Sequence, residues 1–340
     1  MQKLLSLIFL VLFFCSESKA QEGIPVFFDY LADNYYLVYP SMAGIGKGGK
    51  LRLTARQNWF DVDNAPNLQT INANYRVGKN SGVGGIIFND ANGFHSQTGV
   101  KGTYAHHLKL AGDFRTLNQL SFGLSVTYLF SSLDETEFRS AIPDPIVTGQ
   151  NITESYFNID LGLSYNYLEF YAHFTVINAL ESPRNLYLVG RNDPDNVPVI
   201  DNLRRYLVSA GYVFGQGDTR IEPSFLFQLT EFTDEQTVDI NLKAYRDLEN
   251  ATVWGGLSYR RSFDGAQFVD AGIFEERRLQ LFTPIVGVNL KNYVFSYNYS
   301  AQSGAIRFDN GGFHQITIGY NIGQSNEKRF NCFCPASNNQ

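Results

Sequence analysis

The chain has 340 residues, 44% hydrophobic and 15% aromatic, with 28 Phe and 20 Tyr against 2 Trp and 3 Cys. Its net charge of −6 comes with no basic tract to pair with phosphates, which argues against a nucleic-acid binder. Beyond residue 20 no apolar run approaches the roughly 20 residues of a membrane helix, and three cysteines make no disulfide framework, so neither a helical bundle nor a cysteine-stapled scaffold fits.

Residues 1–20 read as an export signal peptide. Lys3 supplies the charged start, an apolar run follows through Phe14, and Ser18-Lys19-Ala20 is a small-x-small cleavage site. The mature chain is expected to begin at Gln21. A lipoprotein signal with Cys15 lipidated competes poorly, because bulky Phe14 precedes that cysteine.

Residues 21–50 form an N-terminal segment rather than a clean strand. Phe27, Phe28, Tyr30, Tyr35, Tyr36 and Tyr39 make it aromatic-rich, which argues against disorder. The expectation is a plug inside the barrel or a periplasmic segment beneath it.

From residue 51 the chain alternates with period 2. In 156–167, Phe157, Ile159, Leu161, Leu163, Tyr165 and Tyr167 share one face, while Asn158, Asp160, Gly162, Ser164 and Asn166 share the other. The run matches the 9–11 residues of a tilted membrane strand, with aromatics at its ends. Comparable strands are expected at 51–60, 67–77, 82–90, 97–111, 118–131, 154–166, 168–178, 204–214, 220–231, 236–246, 251–261, 279–290, 292–301 and 312–322. The fold class is therefore all-β: a transmembrane antiparallel β-barrel of about 14 strands over residues 51–322, placed in the cell outer membrane.

Connection lengths support this reading. Connections 78–81, 112–117, 167, 215–219, 247–250 and 291 are short, whereas 132–153, 179–203, 262–278 and 302–311 are long. Short periplasmic turns and long outer loops alternate in this way in a barrel of even strand number. Residues 268–274 could form an extra strand that would break the parity, so 262–278 is assigned to an outer loop. Residues 323–340 then form a short, polar, periplasmic C-terminal tail.

No catalytic, cofactor or metal site emerges. His106 and His107 are adjacent in a strand and face opposite ways, His95 and His314 lie near strand ends, and His173 is isolated. No local motif brings Ser, His and an acid together. Cys332-Phe333-Cys334 lies in the tail. Cysteines this close rarely pair with each other, so a bridge to a partner, a metal contact and an incidental pair stay open, and Glu327-Lys328-Arg329 reads as a solvated charge cluster. The outer loops carry Asp134, Glu135, Glu137, the Pro143-Asp144-Pro145 bend, Pro183, Pro194 and Pro198. Proline-stiffened loops are suited to holding a partner.

Arg56-Gln57-Asn58-Trp59, then Ala65-Pro66-Asn67-Leu68-Gln69-Thr70, then Asn89-Asp90 resemble the ordered motifs of the PorP/SprF family. Gly99-Val100, Tyr104-Ala105 and the stretch from Phe308 to His314 are similar to its later segments, and the cysteine tail is similar to that of the SprF branch. The family's N-P-A-Y-A-G segment corresponds to Tyr39-Pro40-Ser41-Met42-Ala43-Gly44, which keeps Pro40, Ala43 and Gly44. The resemblance implies a non-enzymatic outer-membrane component of type IX secretion and gliding motility, without cofactor. Its implied partners are a secreted cargo protein with a C-terminal sorting domain, such as a gliding adhesin, and a periplasmic or lipoprotein component of the machinery. Implied contact residues are Pro40, Gly44, Arg56, Gln57, Trp59, Pro66, Gln69, Asn89 and Asp90, with Cys332 and Cys334 in the tail. The alternative is a FadL-like transporter for small hydrophobic solutes, with the aromatic stretch from Phe27 to Tyr39 as its hatch.

Overall fold

The structure is a computed structural model, and it describes residues 28–58, 64–113, 115–136, 138, 147–180, 204–231, 233–270, 273–303, 312–323 and 330–334. The expected signal peptide, Trp59, the proline-containing loop segments and the 327–329 charge cluster lie outside the described residues.

The chain forms one antiparallel sheet of β1 (Gly49–Asn58), β2 (Asn67–Val77), β3 (Ser81–Asn92), β4 (His95–Lys109), β5 (Asn118–Asp134), β6 (Asn151–Tyr167), β7 (Phe170–Ile177), β8 (Arg205–Tyr212), β9 (Phe214–Gln216), β10 (Thr219–Thr230), β11 (Gln236–Asp247), β12 (Ala251–Asp270), β13 (Ile273–Leu290), β14 (Tyr293–Ser303) and β15 (Phe313–Ile322). Apart from β8 and β9, which both pair with β10, each strand pairs with its sequence neighbours, and β15 returns to β1 in a register running from Gly49↔Ile322 to Asn58↔Phe313. The sheet is thereby closed and leaves no edge.

β8 and β9 are two pieces of one strand, both paired to β10 and separated at Val213, so fifteen elements make fourteen barrel strands. Pro223 of β10 lies between the two paired stretches. It has no N–H to offer, which accounts for the interruption.

Period 2 decides which side chains meet lipid. On β5, Phe122, Leu124, Val126, Tyr128 and Phe130 point outward and are exposed, whereas Ser121, Ser125, Thr127 and Ser131 are buried inward. This inverts a soluble protein, as a bilayer-facing wall requires. No helix among the described residues is long and apolar enough to cross a membrane.

One expectation is corrected. Residues 262–270 and 273–278 are strand, not irregular loop. β12 and β13 continue as a paired hairpin from Gly265↔Arg278 to Asp270↔Ile273, beyond a register shift between Arg261 and Gly265. That shift breaks the period, and Asp264-Gly265 reads as a turn dipeptide. Because both arms lengthen together, the strand parity is untouched.

Candidate functional site

The core of the molecule is residues 30–45, which run through the interior of the ring as short helical turns (Phe28–Ala32, Tyr35–Val38 and Pro40–Met42). Tyr30, Leu31, Tyr35, Val38, Tyr39, Met42 and Ile45 pack on an inner apolar wall of Leu207, Leu226, Tyr245, Trp254, Leu281 and Ile285. Tyr36 and Ala43 pack on Ile86 and Ala105 across the lumen.

Polar contacts fix the segment to six strands, and a ring stack fixes it to a seventh. The Tyr30 hydroxyl donates to Asp239 of β11 at 3.0 Å, and Arg260 of β12 clamps the same carboxylate at 2.6 and 2.7 Å. The Tyr35 hydroxyl donates to Glu222 of β10 at 3.2 Å, and Tyr171 donates to the same oxygen at 2.6 Å. Tyr245 donates to the other oxygen of Glu222, and Lys243 Nζ lies 3.9 Å away. Asp33 sits 3.6 Å from Lys50 and 3.5 Å from Arg52 of β1. Tyr36 donates to Thr103 of β4 at 2.8 Å, Ser41 meets Ser164 of β6 at 2.5 Å, and the Gly44 amide donates to Asn74 of β2 at 3.0 Å. His107 of β4 joins the Ala43 carbonyl, 3.0 Å, to Ser121, 2.9 Å. Tyr39 stacks on His173 of β7 with ring centroids 4.3 Å apart. A buried hydrogen bond is worth about 1 kcal/mol net, and more where one partner is charged, so the hold is the sum of many modest bonds from all around the wall.

Small residues make room for this segment. A Cβ at Gly123 of β5 would lie 2.2 Å from the Ser41 amide nitrogen. Gly44 has φ +65°, and a Cβ there would stand 2.7 Å from Gly82 Cα, so backbone hand and space both require glycine. Pro40 opens the last helical turn, where its fixed φ suits the first position.

The sequence-singled residues fall in three places. Pro40 and Gly44 are buried in the lumenal segment. Arg56, Gln57, Pro66, Gln69, Asn89 and Asp90 gather at the long-loop end of β1, β2 and β3. Arg56, Leu68 and Asp90 lie opposite one another across the three strands. Arg56 also lies 4.6 Å from the centre of the Phe313 ring. The Asn58 amide bonds the Pro66 carbonyl at 2.9 Å, and Thr98 donates to Asn89 at 2.8 Å. Gln57 and Gln69 point outward and are exposed. The outer acids Asp134 and Glu135 bind their own loop, Asp134 accepting from Thr136 and Glu135 from Thr148.

The third place is the short-turn end, and it corrects the reading of the cysteines. Cys332 and Cys334 are disulfide-bonded to each other. The chain bends at residues 330–332, which brings the two Cα atoms to 5.4 Å, shorter than the roughly 6.6–7.2 Å of an extended chain and inside the range a disulfide spans. Nor are residues 330–334 a free polar tail. Phe330, Cys332 and Cys334 are buried with Leu117 against Leu168. No group of potential metal ligands occurs among the described residues.

Sequence reading missed Glu222, Asp239, Arg260, Lys50, Arg52, His107 and His173, which hold the lumenal segment. The available signal was charge on the lumen-facing parity of otherwise apolar-outward strands. Ser164 and His173 do touch, 2.7 Å apart, but the imidazole is stacked under Tyr39 and Ser164 is bonded to Ser41, leaving no space for a substrate between them.

Similar solved structures include the monoaromatic hydrocarbon channel CymD, with 10% identity, 82% of this chain and 90% of that one covered, and a TM-score of 0.44. The toluene transporter TbuX of Ralstonia pickettii gives 9% identity, 84% and 92% coverage, and 0.46. The outer membrane protein Omp33 of Acinetobacter baumannii gives 8%, 82% and 100%, and 0.42. Likeness at this level says nothing about function. No curated protein matches the chain. The family model described as type IX secretion system membrane protein PorP/SprF matches residues 19–320, nearly the whole closed barrel together with the segment inside it, and the chain belongs to that family.

Proposed function

We propose that this protein is a non-enzymatic outer-membrane platform that anchors, or assists the export of, one or a few specific type IX cargo proteins, such as gliding adhesins, at the cell surface. The observation that carries this reading is the filled lumen: residues 30–45 are bonded to β1, β2, β4, β6, β10 and β11 and stacked on β7. A lumen occupied in this way favours a rigid support over a solute path. The row of Arg56 and Asp90 with the exposed Gln57 and Gln69 lies at the end with the long loops, where barrels meet extracellular partners. A secreted protein with a C-terminal sorting domain is the partner there, and an envelope-anchored lipoprotein is the partner at the short-turn end.

Deleting the protein should abolish surface display of particular cargo while general type IX secretion continues. Arrest of all type IX export would sink the cargo-specific form of the idea. Purified protein in liposomes should be tight to small apolar solutes, whereas rapid uptake would favour the transporter alternative.

A further inference from the structure

The C-terminal residues 330–334 are seated across the short-turn end of the barrel, which in outer-membrane barrels faces the periplasm. The Asn331 amide bonds the Arg115 carbonyl at 2.9 Å. Phe330, Cys332 and Cys334 fill a seat on Leu117, while the Phe333 ring lies on the other side, 5.3 Å from the Arg220 guanidinium.

We propose that Cys332–Cys334 is a thiol–disulfide exchange site, opened by a periplasmic protein dithiol, and that its opening releases the tail and loosens the lumenal segment. The bond closes a loop of only three residues, so by loop-closure entropy it constrains the unfolded chain very little. Its effect is local. It holds residues 330, 332 and 334 in the one shape that puts all three into the seat. The seat is a small cluster at the barrel rim, built from Phe330, Cys332 and Cys334 on Leu117 and Leu168 and separate from the lumenal core, so the tail can open locally without barrel unfolding.

From the tail a line of contacts leads into the lumen. Arg220 is paired with Asp247 and faces the Tyr245 ring at 5.6 Å. Tyr245 donates to Glu222, the carboxylate that also receives Tyr35 of the lumenal segment. The covalent state of two sulfurs is thus linked to the segment that fills the barrel through four side chains, Phe333, Arg220, Tyr245 and Glu222. The coupling is physical only if both ends change together, and this can be measured.

The chemistry is balanced by the dithiol. One of its thiolates attacks a sulfur of the pair, the S–S bond breaks, and the other cysteine leaves as a thiolate that takes a proton from water. The second thiol of the dithiol then attacks the mixed disulfide. The partner is oxidised to its own disulfide, and Cys332 and Cys334 are left as two thiols. Both cysteines are buried in the seated tail, at 5% and 8% residue exposure, so exchange proceeds from the lifted tail.

The test uses the full mature chain in detergent or lipid, with and without dithiothreitol. Under native conditions, mild reduction should make two thiols reactive to a maleimide while the barrel stays folded. Hydrogen exchange should accelerate about tenfold or more in residues 330–334 and in 30–45, with the strands unchanged. The double variant Cys332→Ser/Cys334→Ser should match the reduced protein without reductant. Phe333→Ala should keep the disulfide yet speed exchange in 30–45. Thiols that appear only when the barrel unfolds would overturn the exchange site. Faster tail exchange with residues 30–45 unchanged would overturn the link to the lumen.

Discussion

At the scale of single residues, space is the sharpest constraint. The wall opposite Ser41 tolerates no Cβ at Gly123, where the nearest atoms are backbone and cannot swing aside. Gly123→Val should therefore push out the segment at a cost of about 1–3 kcal/mol, seen as faster hydrogen exchange in residues 30–45. Gly102→Val is the control, because a Cβ there meets nothing within 4 Å. Equal exchange in the two variants would mean that the segment is not held where Gly123 meets it. Charge acts differently at the exposed turn between β4 and β5. The Thr116 hydroxyl and amide and the Arg115 amide all donate to Asp113, and these bonds, the hydroxyl foremost, hold its pKa below the ordinary 3.8. The unfolded chain then binds the proton more tightly, so the stabilisation is present above pH 3.8 and fades as pH falls through the lower folded value. Asp113→Asn should melt below wild type at pH 7, with the gap closing under strongly acidic conditions. A gap constant with pH would rule out this origin.

At the scale of elements, the strands and the lumenal segment are separable. Every strand finds its hydrogen bonds in its neighbours, whereas the segment takes its own from strand side chains. Deleting residues 28–44 should leave a barrel that still assembles but conducts ions in a planar bilayer, with a lower thermal midpoint because Leu207, Leu226 and Trp254 lose their cover. A deleted protein as tight as the full one would show that something else closes the lumen. The strands were legible because a period of 2 writes lipid-facing and lumen-facing residues directly into the chain: the expected 67–77 and the observed β2 coincide. The β12–β13 hairpin was misread because the Arg261–Gly265 irregularity interrupts that period. β8 was expected to run unbroken because the cause of its interruption, Pro223, belongs to another strand.

At the scale of the whole molecule, closure matters most. β15 bonds β14 on one side and β1 on the other. Truncation before Phe313 would expose two unpaired edges to lipid, each backbone group costing several kcal/mol. Such a chain should give no heat-modifiable, SDS-resistant barrel on electrophoresis. The barrel class, its fourteen strands, its outer-membrane location and its family could all be read from the residues alone, because alternation, connection length and ordered motifs are local properties of a chain. The grip on the lumenal segment could not. Tyr30 and Asp239 are 209 positions apart, as Tyr35 and Glu222 are 187 apart, and no local pattern ties them. Nor could the sequence say that Cys332 and Cys334 bond to each other and sit on Leu117. Those contacts exist only once the ring has closed and brought strands from both halves of the chain around one short segment.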